Sequence, residues 1–218
     1  MNGENSEDID KIIDFISKAY SNVGKEYLHP KSVSGDIDPQ EKNFSNELYT
    51  QMRILQKLNR KTNQYKFLED PRLIIESERK KTDKKDEKDI YLKQPDIIIH
   101  IPGSNENNLL VIEIKRIKEI KRIKGKDNNI IEDLKKLKSF INKLNYKYGI
   151  SLIFGEISNE NGNIWNPIKN KIKEEDSNDD NLKLSDYIKN QKIIILWCHK
   201  ENHKGKCENI SSLLVEGN

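Results

Sequence analysis

Four short apolar runs constrain this chain more than anything else in it: 94–101 (QPDIIIHI), 109–115 (LLVIEIK), 150–156 (ISLIFGE) and 192–198 (KIIILWC). Each has the length of a strand, and isoleucine, a β-branched residue that packs well on a pleated surface, dominates them. The last shows no alternation of apolar and polar residues, as expected of a strand buried on both faces. A further run, 72–79 (RLIIESER), precedes them. Helical spacing occupies the intervals. Ile9, Ile12, Ile13 and Ile16 mark a first helix. Phe44, Leu48, Met52 and Leu55 predict a second over 43–59. Ile130, Leu134, Leu137, Ile141 and Leu144 predict the clearest one, over 129–145. A short helix is expected over 182–189. The segment 23–41, with Gly24, Pro30, Gly35 and Pro39, reads as loop, as does most of 159–180.

The order is therefore helix, three strands, helix, strand, then a further helix–strand unit. It predicts an α/β fold, a central mixed sheet flanked by helices. No internal repeat interrupts it. The expected division is an N-terminal helix and loop over 1–42, a core over 43–156, and a C-terminal helix–strand extension of the same domain over 157–218.

Composition excludes several alternatives. At 218 residues the chain suits one domain or slightly more. Hydrophobic residues make up 34%, against about 45–50% apolar, glycine included, in an ordinary globular chain. The deficit is largely alanine, of which Ala19 is the sole instance. With Lys+Arg 39 and Asp+Glu 36, the net charge of +3 permits a nucleic-acid partner without demanding one. No apolar run reaches membrane-spanning length, and the acidic, polar start has no signal-peptide character. A cytoplasmic location is expected. Cys198 and Cys207 are the only cysteines, so no disulfide framework is expected.

The chemistry-bearing residues lie on the second and third strands. Residues i and i+2 of a strand share a face, which groups Asp96 with Ile98 and His100, and Glu113 with Lys115. If 102–107 closes a hairpin in which Ile101 pairs with Asn108, then Asp96 falls opposite Glu113. Direct cross-strand neighbours have Cβ atoms about 4.5–5.5 Å apart. Two such carboxylates repel unless a cation lies between them, and oxygen ligands suit Mg²⁺ or Mn²⁺. The Ile114 carbonyl is placed to add a ligand, and Lys115 to stabilise charge on a phosphoryl group. Each residue alone also fits a plainer part, Asp96 as a strand start and Glu113–Lys115 as an exposed ion pair. His100 reads as a partly buried strand histidine.

Pro95-Asp96, then 16 residues, then Glu113-Ile114-Lys115 resembles the signature of the PD-(D/E)XK nuclease superfamily, and the element order over 43–156 is similar to its restriction-endonuclease-like αβββαβ core. The resemblance implies Asp96 and Glu113 as ligands of Mg²⁺ or Mn²⁺, Lys115 as the catalytic lysine, and hydrolysis of DNA phosphodiester bonds. Many members add a glutamate from the first core helix. Glu47 is the candidate, at about 60° from Phe44 on the helix, with Glu76 and Glu78 on the first strand as alternatives. DNA is the expected partner ahead of RNA, no membrane is expected, and a homodimer is allowed. The competing reading is a non-catalytic nucleic-acid-binding or assembly module on a nuclease-like fold.

Directly after the motif, 115–126 (KRIKEIKRIKGK) sets Arg116, Lys118, Lys121, Arg122, Lys124 and Lys126 beside Lys115 against Glu119 alone. Such a stretch suits phosphate-backbone contact through counterion release, and equally a solvated surface. At the other end, Cys198, His199, His203 and Cys207 are ligand types that zinc accepts, but their spacing matches no strong zinc pattern, and Cys198 also fits simple burial.

Overall fold

The computed structural model describes residues 3–28, 39–77, 94–103, 107–117, 129–155, 165–177, 183–201 and 204–215. These form helices α1 (Gly3–Ser21), α2 (Lys25–Leu28), α3 (Pro39–Thr62), α4 (Asn129–Leu144), α5 (Asn166–Ser177), α6 (Leu184–Lys189) and α7 (Ser211–Val215). The strands are β1 (Ile74–Ser77), β2 (Ile97–His100), β3 (Asn108–Ile117), β4 (Tyr148–Gly155), β5 (Ile193–Glu201) and β6 (Lys204–Asn209). All six join one sheet in sequence order. The pairs β1–β2, β2–β3 and β5–β6 are antiparallel, whereas β3–β4 and β4–β5 are parallel. The mixed α/β architecture expected from the apolar runs is what the chain adopts.

The continuous apolar character of the strands follows from burial on both faces. One face carries Ile97, Ile99, Ile112, Ile114, Ile150, Leu152, Phe154 and Leu196 against α1 and α3. The other carries Ile98, Val111, Ile153, Ile195 and Trp197 against α4 and the C-terminal helices. Phe44 of α3 stacks on Phe154 of β4 with centroids 3.8 Å apart, which fixes α3 over the sheet. Helix α4 lies so close on the opposite face that a Cβ at Gly149 would come within 3.1 Å of the Leu137 Cβ. Leu137 is fully buried. Leu137→Ala should therefore lower stability by roughly 2–5 kcal/mol, read as a shifted midpoint in urea unfolding with an unchanged slope.

Local chemistry sets the boundaries. Asn145 follows α4 at φ 55°, and Asn63 follows α3 at φ 50°. Asparagine tolerates the left-handed conformation that ends a helix. At the end of β4, Gly155 has φ 150°, and a side chain there would collide with the Ile117 carbonyl of β3. The segment α6 begins where Asp176 of α5 accepts the Leu184 N–H at 2.6 Å, a carboxylate satisfying an otherwise orphaned helical donor.

Three expectations are corrected. Helix α3 starts at Pro39 rather than near Asn43, so a boundary after residue 42 falls inside a helix. Proline serves well at the first helical position, where its missing N–H is not needed. The segment 159–180 is not mostly loop, since 166–177 is α5. The tail after β5 returns as β6, and Cys198 and Cys207, cross-strand neighbours with Cα atoms 4.1 Å apart, form a disulfide. That bond commits both sulfurs and removes them from any zinc set. His199 stacks against Trp197, and His203 lies outside the described residues. β5 and β6 extend the same sheet as β1–β4, and α1 packs across β6 and α3. Among the described residues no helix is long and apolar enough to cross a membrane.

Candidate active site

The hairpin register brings the motif together. Ile97, Ile98 and Ile99 pair with Ile112, Val111 and Leu110. Continued by one residue, that ladder sets Asp96 opposite Glu113. A bulge at the loop end pairs His100 with Asn108, so the register shifts there and not at the site. Glu113 and Lys115 share the face of Val111 and Ile117, on which α4 packs. A polar cleft of about 280 Å³ opens there, lined by Glu41, Gln94, Asp96, Glu113, Ile114, Lys115, Glu132, Asp133 and Lys136.

Asp96 is held from below: its Oδ2 accepts the Ile114 N–H at 2.6 Å. Burial pushes the Asp96 carboxyl up to about 6, opposed by that N–H and assisted by the negative charge of Glu41. Glu113 is 3% exposed. Its burial, and next the charge of Asp96, push it up to about 8. Its Oε2 accepts from Lys136 Nζ at 3.0 Å, while Oε1 is buried with no hydrogen-bond partner among the described residues. Lys136 also meets Asp133 Oδ1 at 3.0 Å. Burial works to lower the Lys136 ammonium, but Glu113 and Asp133 prevail and raise it. The cleft thus holds a protonated lysine beside Asp96 and Glu113, whose ionisation is disfavoured.

The helical glutamate in the cleft is Glu41, not Glu47. Glu41 Oε1 lies 3.4 Å from Lys115 Nζ, and Oε2 accepts the Arg116 N–H at 2.9 Å. Glu47 instead accepts from Gln51 Nε2 at 2.7 Å, one turn further along α3. Both sit at about 60° from Phe44, on opposite sides, since they are three residues before and after it. Periodicity alone cannot separate them. What separates them is position along the axis: Glu41, in the first turn, reaches the C-terminal end of β3. Glu76, the alternative on β1, pairs with His100 Nε2 at 2.8 Å, away from the cleft lining. Glu78 lies outside the described residues, as do Lys118, Lys121, Arg122, Lys124 and Lys126. Asp133 and Lys136 carry no motif in the sequence. Their one signal is spacing, three apart on the polar flank of the α4 stripe.

The donor chemistry fits a hard divalent cation: carboxylate oxygens, one buried and unpartnered, in a polar cleft. The ligand set is not preassembled, however. Among the described residues no group of three or more His, Cys, Asp or Glu is poised on a common metal position. Lys136 Nζ instead lies 3.0 Å from Glu113 Oε2. No protein-family model, curated protein or solved structure matches the chain.

Proposed function

We propose that the chain is a metal-dependent phosphodiesterase acting on DNA as an endonuclease, with Asp96, Glu113 and Lys115 as its reacting centre. One observation carries the reading: these three side chains of a PD…ExK pattern line a single polar cleft, in which the Asp96 and Glu113 carboxyls both resist ionisation. A divalent cation between them would favour the ionised form of both. Asp96 and Glu113, with the Ile114 carbonyl, would hold Mg²⁺ or Mn²⁺, whose contribution is Lewis acidity toward a phosphoryl oxygen. The remaining work falls to the chain itself. The Lys115 ammonium, steadied by Glu41, offsets charge that builds on the phosphate in the transition state. The Ile114 N–H fixes the orientation of Asp96. The basic stretch that starts at Arg116 and runs through Lys118, Lys121, Arg122, Lys124 and Lys126 supplies sequence-independent contact to the DNA backbone.

The second reading, a nucleic-acid-binding or assembly module without catalysis, is favoured by the ion pair between Lys136 and Glu113. One assay separates the two. Supercoiled, linear, single-stranded and branched DNA are incubated with Mg²⁺, Mn²⁺ or EDTA. Cleavage of at least one substrate with metal, absent in EDTA and absent in Asp96→Asn, is expected. Binding of DNA with no cleavage under any condition would establish the module instead.

A further inference from the structure

The ammonium of Lys136 occupies a position that two carboxylates define. Glu113 Oε2 and Asp133 Oδ1 each lie 3.0 Å from Nζ. The three side chains are 4%, 10% and 17% exposed for Glu113, Asp133 and Lys136, so this is an enclosed contact and not a surface ion pair. They come from separate sources: Glu113 from the centre of β3, and Asp133 and Lys136 from one turn of α4. An ion pair built only for stability would satisfy every buried oxygen, because an unmatched one is costly. Here Oε1 of Glu113 is buried without a partner among the described residues. Asp96 lines the same cleft. The carboxylate is thus half engaged by a tethered cation and half reserved.

We infer that Lys136 is a placeholder cation for Glu113, and that loading a divalent ion at Asp96 and Glu113 is an exchange in which Lys136 gives up Glu113 and stays on Asp133. The inference rests on the metal-dependent reading above and adds to it a residue that governs how readily the metal enters. No covalent bond of the chain is made or broken in the exchange: the Lys136–Glu113 hydrogen bond would give way to coordination of Glu113 to the ion, which would release water in return. Asp133 matters because it gives the released ammonium a partner three residues away on its own helix. Without it the lysine would cling to Glu113.

The test is Mn²⁺ binding to the full chain by calorimetry in mildly alkaline buffer, with thermal unfolding in EDTA alongside. Lys136→Met keeps the side-chain length and removes the charge. It should bind Mn²⁺ on the order of tenfold more tightly than the parent. It should also unfold at lower temperature than the parent in EDTA, and gain more in Tm on adding Mn²⁺. Lys136→Arg should return both values toward the parent. Asp133→Asn should act in the opposite sense, weakening Mn²⁺ binding, and it keeps the inference testable if Lys136→Met does not fold. Adding Glu113→Gln to the parent and to Lys136→Met should abolish the difference between them. Equal Mn²⁺ affinity in parent, Lys136→Met and Asp133→Asn overturns the inference and leaves the hydrolase reading standing. Affinities that shift as expected, with no DNA cleavage by any variant, overturn the hydrolase reading and leave the placeholder role intact.

Discussion

Lys115→Ala should lose cleavage by about 10²–10³-fold, the usual consequence of removing one preorganised donor from a reacting oxyanion, and keep its affinity for DNA within about twofold. The two readouts part because of where the side chain sits. Lys115 lines the cleft beside Asp96 and Glu113, so in the proposed complex it would meet one phosphate of a bound strand. Its ammonium is already neutralised in part by Glu41 at 3.4 Å, which makes its net gain in ground-state binding small. In the transition state negative charge on the phosphate rises and the ammonium counts for more, so its loss falls on kcat. Glu41→Gln should show a milder form of the same defect, because it frees Lys115 from its tether without deleting it. Replacing Lys121, Arg122 and Lys124 together should give the converse: weaker binding of every sequence and a flatter dependence on salt. Single-turnover cleavage and binding across a salt series measure both. A Lys115→Ala chain that cuts at the parental rate would remove Lys115 from the reaction.

Much of this architecture is legible from periodicity, because the elements that bury both faces leave little choice. The run ending in Cys198 has no polar face to offer solvent, so it has to be an interior strand, and the apolar runs ending in Ile101, Lys115 and Glu156 join the same sheet. The stripe from Ile130 to Leu144 likewise has to lie on them. The expected pairing of Ile101 with Asn108 does not form, since His100 pairs with Asn108, and the bulge between Ile99 and His100 offsets that one-residue slip, so Asp96 still falls opposite Glu113.

What sequence cannot supply are features decided by ends and by distance. Pro39 has the character of a loop marker and is a helix start. A loop reading there hides Glu41 and promotes Glu47, which has the same angular offset from Phe44 on the other side. Lys136 and Asp133 are ordinary polar positions of an amphipathic helix until α4 is laid on β3, when they meet Glu113. The cysteines look isolated, or like ligands, because 204–209 is polar and lacks a strand signal. Its strand character comes from pairing with β5, and that pairing sets Cys207 beside Cys198.

Without metal, the protein should lose stability as pH rises from about 4.5 to about 8, and Glu113→Gln should abolish most of that loss. Glu113 has an ordinary value of 4.5 and is held at about 8 by burial and then by the charge of Asp96. Asp96 moves in the same direction, from 3.8 to about 6. In both cases the folded chain binds the proton more tightly than the unfolded chain does. The difference in bound protons, unfolded minus folded, is therefore negative in this window, and the free energy of unfolding falls as pH rises. The stabilising protons are all in place below the unfolded values and are gone above the folded ones. The Glu113 shift, from 4.5 to about 8, corresponds to roughly 5 kcal/mol. Glutamine keeps the shape and cannot ionise, so the variant should match the parent in acid and exceed it by about that amount in mild alkali. Urea unfolding in EDTA across the range measures the difference, and groups common to both chains cancel in it. Mg²⁺ should restore the parent in alkali, where it replaces the missing proton with a cation, and leave Glu113→Gln nearly unmoved. A parent chain that gains stability over the same pH window would carry the opposite meaning. Glu113 would then be an ordinary ionised partner of Lys136, and the cleft would have no need of a metal.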